Sequence, residues 1–258
     1  LTQPARAAES ARTVIPIGRA VGIKLFSDGV MVVGFSEVTS AQGRSAPARD
    51  CGLKEGDIIT HINREEVDTI EDVQSVLQEV GGETMSIRAL REDEPIQLTA
   101  QAVQCSSDGQ YKLGAWIRDS MAGIGTMTYY DPETGSFGAL GHGTTDSDTG
   151  ILMPFASGSL LPSAVKAVKK GASGEAGELR GDFDLTGDLG DLSANTSSGI
   201  FGTLDPGEFT ERLGDAIPVA SAGEVHTGPA AILANVEGDA VREYDIEILQ
   251  IVEEAADS

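Results

Sequence analysis

Basic side chains are scarce in this 258-residue chain, where 18 Lys and Arg stand against 41 Asp and Glu for a formal net charge of -23. So acidic a surface repels a phosphate backbone, which excludes nucleic acid as a partner class. Cysteine is nearly absent. Cys51 and Cys105 neither define a disulfide framework nor fill a zinc site, which wants about four ligands. Long apolar runs are missing too: the longest uncharged stretch, Thr149 to Val165, contains two prolines, two glycines and three serines, where a spanning helix needs about 20 mostly apolar residues. That stretch reads as loop and strand. The sequence begins at Leu1 without a basic-then-apolar leader, so any export signal or anchor is expected to lie outside it. What is abundant is glycine, with 32 residues, alongside 10 prolines. Their share exceeds the usual ~12% without a collagen period, which favours turn-rich β structure over long helical bundles.

Charge divides the chain unevenly. Residues 1–13 carry +1, 14–105 carry -7 and 106–258 carry -17. The small, polar opening LTQPARAAESART is expected to be a flexible lead-in. Within 14–105, Gly22 to Phe26 and Gly29 to Phe35 are β-rich runs around Ser27, Asp28 and Gly29, a spacing that predicts a three-residue hairpin connection. Thr69 with Asp72 three positions on predicts a helix N-terminus. Ile70, Val73, Val76, Leu77 and Val80 then recur at helical spacing until Gly81 and Gly82. Strands are expected over Asp57 to Ile62, Met85 to Arg91 and Ile96 to Val103.

The runs AVGIKL (20–25), GVMVVGF (29–35) and SAPARDCGLKEGDIITHINREEV (45–67) together resemble a PDZ domain of the bacterial protease-associated type. PDZ domains receive an extended peptide on a free sheet edge, with a backbone nest for its carboxylate. The resemblance implies an edge at Val21, Gly22 and Ile23 facing Val73 and Leu77 of the helix. The plainer reading is that these five residues are core.

From Tyr111 onward the texture is short strands between Gly-rich turns, with strands expected at 112–118, 124–130 and 137–142 and a turn at DPETG (131–135). Further strand candidates are 217–220, 230–236 and 244–252. Such spacing suggests an antiparallel barrel or sandwich. Three histidines are available for acid-base work near neutral pH. His61 lies in a strand beside Ile62 and His226 in a short polar stretch, and both read as ordinary surface or half-buried residues. His142 differs, because it ends a strand and feeds GTTDSDTG, where a scaffold commonly presents a catalytic group. Asp146 and Asp148 close by serve either that imidazole or their own turn. GDFDLTGDLGDLS (181–193) places Asp182, Asp184, Thr186 and Asp188 as in a calcium loop, but Ser193 stands where the bidentate Glu belongs, so it reads as an acidic solvated turn. Cys51, in a small apolar slot before Gly52, is expected to be a buried free thiol.

The run IRDSMAGIGTMTYYDPETGSFGALGHGTTDSDTG (117–150), with LLPSAVKAVKKGASGEAGE (160–178), SSGIFG (197–202) and GPAAILANVEGDAVREYDIEI (228–248), resembles the peptidase domain of the stage IV sporulation protein B family. The resemblance implies a chymotrypsin-like serine endopeptidase with a His-Asp-Ser triad, whose histidine, in the GALGH motif, maps onto His142. It implies no cofactor and no metal. The implied fold is mainly β with minor α: a flexible 1–13, a PDZ domain over 14–105, and over 106–258 an antiparallel β-barrel of chymotrypsin-like type lacking its C-terminal part. The implied activity is cleavage of its own chain and of a regulatory subunit of a membrane-embedded protease, switching on a late sporulation sigma factor. Such an enzyme is exported into the space between forespore and mother-cell membranes.

In a triad the histidine accepts the serine proton and the carboxylate orients the imidazolium. The family's Asp and nucleophile follow the strand matching EYDIEIL, and no position of this sequence matches them. Ser157, in FASGSLLPS, echoes the nucleophile motif but falls in a segment that resembles a different part of the family. Two readings follow from the residues: a serine endopeptidase by family, or a non-catalytic PDZ module that binds peptides on a peptidase-like scaffold.

Overall fold

The structure is a computed structural model that describes residues 12–174, 177–184, 187–238 and 240–252. Its principal elements are β1 (Thr13–Phe35), β2 (Ile58–Ile62), α1 (Ile70–Val80), β3 (Thr84–Arg91), β4 (Glu94–Gln101), β5 (Ala115–Tyr130) and β6 (Ser136–Ala139). They continue with β7 (Ser157–Lys169), β8 (Glu178–Phe183), β9 (Gly190–Thr196), β10 (Gly199–Leu204), β11 (Gly228–Glu237) and β12 (Ala240–Ile248). The expectation of a mainly β chain with minor helix holds.

Two long strands organise everything else. β1 runs antiparallel to β5 from Ile15 opposite Tyr130 to Phe35 opposite Ala115. The hairpin expected at Ser27 to Gly29 does not form. Between Phe26, opposite Ser120, and Met31, opposite Arg118, β1 advances five residues while β5 advances two, so the extra residues bulge out and the strand continues. Gly29 makes this possible, at φ +85 and with its Cα so close to Ile59 that a Cβ would lie 2.6 Å from the carbonyl oxygen. An unbroken partner strand, invisible in local sequence, decides between hairpin and bulge.

Each half of this ribbon feeds a separate core. The C-terminal half of β1 pairs with β2 (Val30 with Ile59), β2 with β3, and β3 with β4. α1 covers that sheet with Val73, Val76 and Leu77 buried against Val30, Val32, Ile59 and Ile87. The helix starts where the capping signal places it: Thr69 Oγ1 accepts from Asp72 N at 3.1 Å, and Asp72 Oδ2 from Thr69 N at 2.9 Å. A box of this kind contributes about 1 kcal/mol. Gly81, at φ +61, ends the helix.

The N-terminal half of β1 belongs elsewhere. β1 pairs with β5, β5 with β6, β6 with β10, β10 with β9, β9 with β7, and β7 returns to β1, all antiparallel. The sheet therefore closes into a ring, filled by Ile15, Ile17, Val21, Ile23, Leu25, Met127, Phe137, Leu160 and Ile200. Residues 14–26, expected in the first unit, thus pack in the second, because a closed ring offers Val21 and Leu25 apolar neighbours on both sides.

The β11–β12 hairpin crosses β1 and β7. Val165 and Gly238 exchange backbone hydrogen bonds of 2.8 and 3.0 Å. Gly18, at φ +65, lets the hairpin touch β1, since a side chain there would collide with the Leu233 backbone. Gly18→Ala should therefore cost at least about 1–2 kcal/mol for the left-handed conformation alone, read as a lower urea midpoint with an unchanged slope.

Candidate functional site

His142 sits where β6 stops. The expected strand over 137–142 ends at Ala139 because Leu140 adopts φ +61, a conformation costly for a branched side chain. Its backbone is held from both ends: Leu140 N donates to Thr126 O at 2.8 Å, and Thr128 Oγ1 donates to Leu140 O at 3.2 Å. The chain turns outward through Gly141 and presents an exposed His142. Among the described residues the ring makes one hydrogen bond, between Nδ1 and Gly143 O at 2.9 Å. A carbonyl only accepts, so Nδ1 carries the proton and the Nε2 lone pair is left as an acceptor. The ring lines a groove of about 390 Å³ with Ile23, Gly125, Leu140, Thr144, Glu178 and Leu179. Glu178 is held below the usual carboxylate range by its bond from Arg180, which pairs with it at the rim of this groove.

The loop after His142 is tightly built. Asp146 is fully buried, and one of its oxygens accepts from Asp148 N, Thr149 N and Thr149 Oγ1 at 3.1, 2.9 and 3.0 Å. Its other oxygen lies 2.9 Å from Arg118 Nη1, and Arg118 Nη2 is 2.8 Å from Asp148 Oδ2. Burial alone would push the Asp146 carboxyl up. The Thr149 and Asp148 bonds and the Arg118 charge outweigh it and hold the group below its ordinary value. Asn195 fixes the start of the loop, accepting from Thr144 N at 2.8 Å and donating to Thr144 O at 3.0 Å and Met153 O at 2.8 Å. Asp146 and Asp148 thus serve their turn and Arg118. Neither bonds the imidazole.

The other candidates disperse. Ser157 opens β7 opposite Phe26, outside the His142 groove. His61 Nδ1 meets Thr60 Oγ1 at 3.2 Å, and His226 Nδ1 meets Glu224 O at 2.9 Å. Asp182 lies within β8 and pairs loosely with Lys166 at 3.8 Å, so strand pairing with β7 takes up the first part of the calcium-like run. Thr186 lies outside the described residues. Among those described, no cluster of His, Cys, Asp or Glu is arranged to hold a metal. Cys51 and Cys105 are free thiols, Cys51 half-buried with burial pushing its pKa up, and Cys105 buried.

The expected peptide edge at Val21, Gly22 and Ile23 is not free. All three are buried, Val21 and Ile23 in the ring core, with β5 on one side and β7 on the other, and Phe183 sits directly over Gly22. Val73 and Leu77 belong to the other core. The groove that α1 does border, about 960 Å³, is lined by Ile70, Val73, Leu77 and by Ala115, Trp116 and Ile117 of β5. β5 occupies the position beside 30–35 that the sequence suggested for 20–25. Over 115–118 β1 is its paired neighbour, so its other edge faces the helix. Asp119 Oδ2 joins the two by accepting from Ile70 N at 2.9 Å.

The sequence profile of the SpoIVB peptidase S55 family matches residues 109–258, more than half of the chain. The chain belongs to this family. A PDZ domain profile matches residues 38–91. Family membership makes the S55 chain a peptidase, a hydrolase, carried beside a PDZ domain. Among solved structures, the PDZ domain of the SdrC-like protein from Listeria monocytogenes is similar at 22% identity, covering 35% of this chain and 87% of that one with a TM-score of 0.28. No curated protein matches.

Arg118 and Asn195 were not legible as site residues, since their partners lie about 28 and 51 positions away. Asp146 carries a testable consequence for this loop. Its folded pKa lies below its unfolded one, so its contribution is full above about pH 4 and is lost as pH falls through the depressed folded value. Asp146→Asn should lower stability at pH 7 by about 1.5–3 kcal/mol, the scale of hydrogen bonds to a charged acceptor, and the gap to the parent should close in acid, as thermal unfolding across pH will read.

Proposed function

We propose that this chain is a serine endopeptidase in which His142 is the general base. The observation that carries this reading is the Nδ1–H bond to Gly143 O, which leaves Nε2 as a proton acceptor on a ring that lines an open groove. In acyl transfer that nitrogen takes the nucleophile's proton and returns it to the leaving amine, while a partner on Nδ1 holds the tautomer. Here a backbone carbonyl stands in the place where a triad has its carboxylate. The substrates are protein segments: its own chain and a regulatory subunit of a membrane-embedded protease, whose cleavage activates a late sporulation sigma factor. The site of action is the space between the forespore and mother-cell membranes. The net charge of -23 favours basic partners, within a screening distance of about 8–10 Å.

In the intact gene product, His142→Ala should reduce self-cleavage at least about 1,000-fold, followed by intact mass spectrometry. Undiminished cleavage in that variant would overturn the assignment. A second reading, a peptide-binding module without catalysis, is favoured by one observation: among the described residues no serine hydroxyl or carboxylate bonds His142. A fluorophosphonate probe separates the two, because stoichiometric labelling that depends on His142 requires an activated serine.

The PDZ unit is the second part of the proposal. An extended peptide would add to the free edge of β5 over 115–118 and place side chains against Ile70, Val73 and Leu77 of α1. Trp116 is the single tryptophan, 65% exposed and at the groove, so it reports occupancy directly. Titration with hydrophobic C-terminal peptides should change its fluorescence saturably, and Ile70→Glu should weaken binding about tenfold or more. An Ile70→Glu protein that binds as the parent does would place the peptide elsewhere.

A further inference from the structure

We propose that Arg118 is a positioning residue for His142, setting which imidazole nitrogen carries the proton. The proposal rests on the reading of His142 as the base. Arg118 and His142 are not bonded to one another. Between them runs a short chain of fixed contacts. The guanidinium spans two carboxylates, 2.9 Å to Asp146 and 2.8 Å to Asp148. Asp146 then organises the turn through three bonds to residues 148 and 149, and Asp146 N donates to Ile151 O while Gly150 N donates to Asp146 O, each at 2.8 Å. Thr145 bridges Leu152, and Met153 N donates to Thr144 O at 2.9 Å. Only Gly143 separates this frame from the histidine, and Gly143 O is the atom that takes the Nδ1 proton.

Two features make Arg118 the controlling member of that chain. Asp146 is buried with no exposed surface, and Arg118 is the one cation paired with it among the described residues. Removing the cation leaves a buried carboxylate uncompensated, and the loop must open to hydrate it. The guanidinium itself is anchored on β5, directly after Ile117, so it holds a fixed position while the loop comes to it. Ile151, from the far side of the loop, packs on Gly56, which ties the same loop to the PDZ unit at a second point. Asn195 secures Thr144 from the ring, so loss of Arg118 frees the 145–152 end and twists Gly143 without detaching the whole segment. A twisted Gly143 carbonyl no longer selects the Nδ1–H form, and Nε2 becomes protonated in part of the population and fails as an acceptor.

The test is the ring-nitrogen spectrum of the intact chain at pH 8, where the neutral imidazoles are observed. His61 and His226 serve as internal controls, since their rings hydrogen-bond elsewhere, to Thr60 and Glu224. The parent should show His142 predominantly as the Nδ1–H tautomer. In Arg118→Gln its excess over the Nε2–H form should fall at least about fivefold, with both control residues unchanged, and Arg118→Lys should be intermediate because an ammonium reaches one carboxylate and not two. An Arg118→Gln protein whose His142 nitrogens match the parent would overturn the proposal. Where Arg118→Gln does not fold, Arg118→Lys decides: a His142-specific change supports the assignment and an unchanged His142 refutes it. Cleavage by His142→Ala tests whether the residue is the base, and the tautomer tests whether Arg118 sets it, so either idea can fail alone.

Discussion

The pairing of β1 with β5 is the constraint on which the rest of the molecule depends. Two strands of 23 and 16 residues lie antiparallel along most of their length, and each half of the ribbon is enclosed by a different core. A strand buried on both faces must satisfy its backbone on both edges as well. That requirement brings β7 onto Val21 to Phe26 and β2 onto Val30 and Met31. The PDZ unit and the peptidase ring are therefore two ends of one hydrogen-bonded sheet, and the bulge at residues 27–30 is where the ribbon passes from one core to the other.

This arrangement sets the position of His142. β6 continues the ring from β5, Leu140 breaks it with a left-handed turn, and His142 emerges over a groove floored by residues of β1 and β5. The loop that follows returns to the ribbon at Arg118, close to the bulge and beside the strand segment that borders the α1 groove. Asp119, the next residue, caps the amide of Ile70 at the start of α1. Three consecutive positions of one strand, Ile117, Arg118 and Asp119, thus touch the α1 groove, the His142 loop and the helix that walls the groove. In a chain with so few basic residues, an arginine at that junction neutralises a buried carboxylate with which no other cation pairs among the described residues.

Much of this was legible in the sequence, and the failures have a common cause. The helix was readable because its capping box and apolar stripe are local, as was the turn at 131–135, where Asp131 accepts from the amides of Glu133 and Thr134. The exposed position of His142 was readable because a strand end feeds a Gly-rich loop there. The hairpin at Ser27 to Gly29 was misread because turn residues also serve bulges, and only the partner strand distinguishes the two. Of the two readings of Val21, Gly22 and Ile23, edge or core, the core one holds, and the near-continuous apolar run from Ala20 to Leu25 carries the mark of a strand buried on both faces. Arg118 and Asn195 left no local signal at all, because their roles arise only when distant segments meet.

The most direct test of this account is native-state hydrogen exchange along β1. If the ribbon joins both units into one sheet, the amides of Ile23 and Leu25 in the ring and of Val30 and Val32 in the PDZ unit should open with the same free energy, equal to that of global unfolding. Exchange of the Val30–Val32 amides through a distinct, lower-energy opening, with Ile23 and Leu25 still protected, would contradict it and make the two units independent domains.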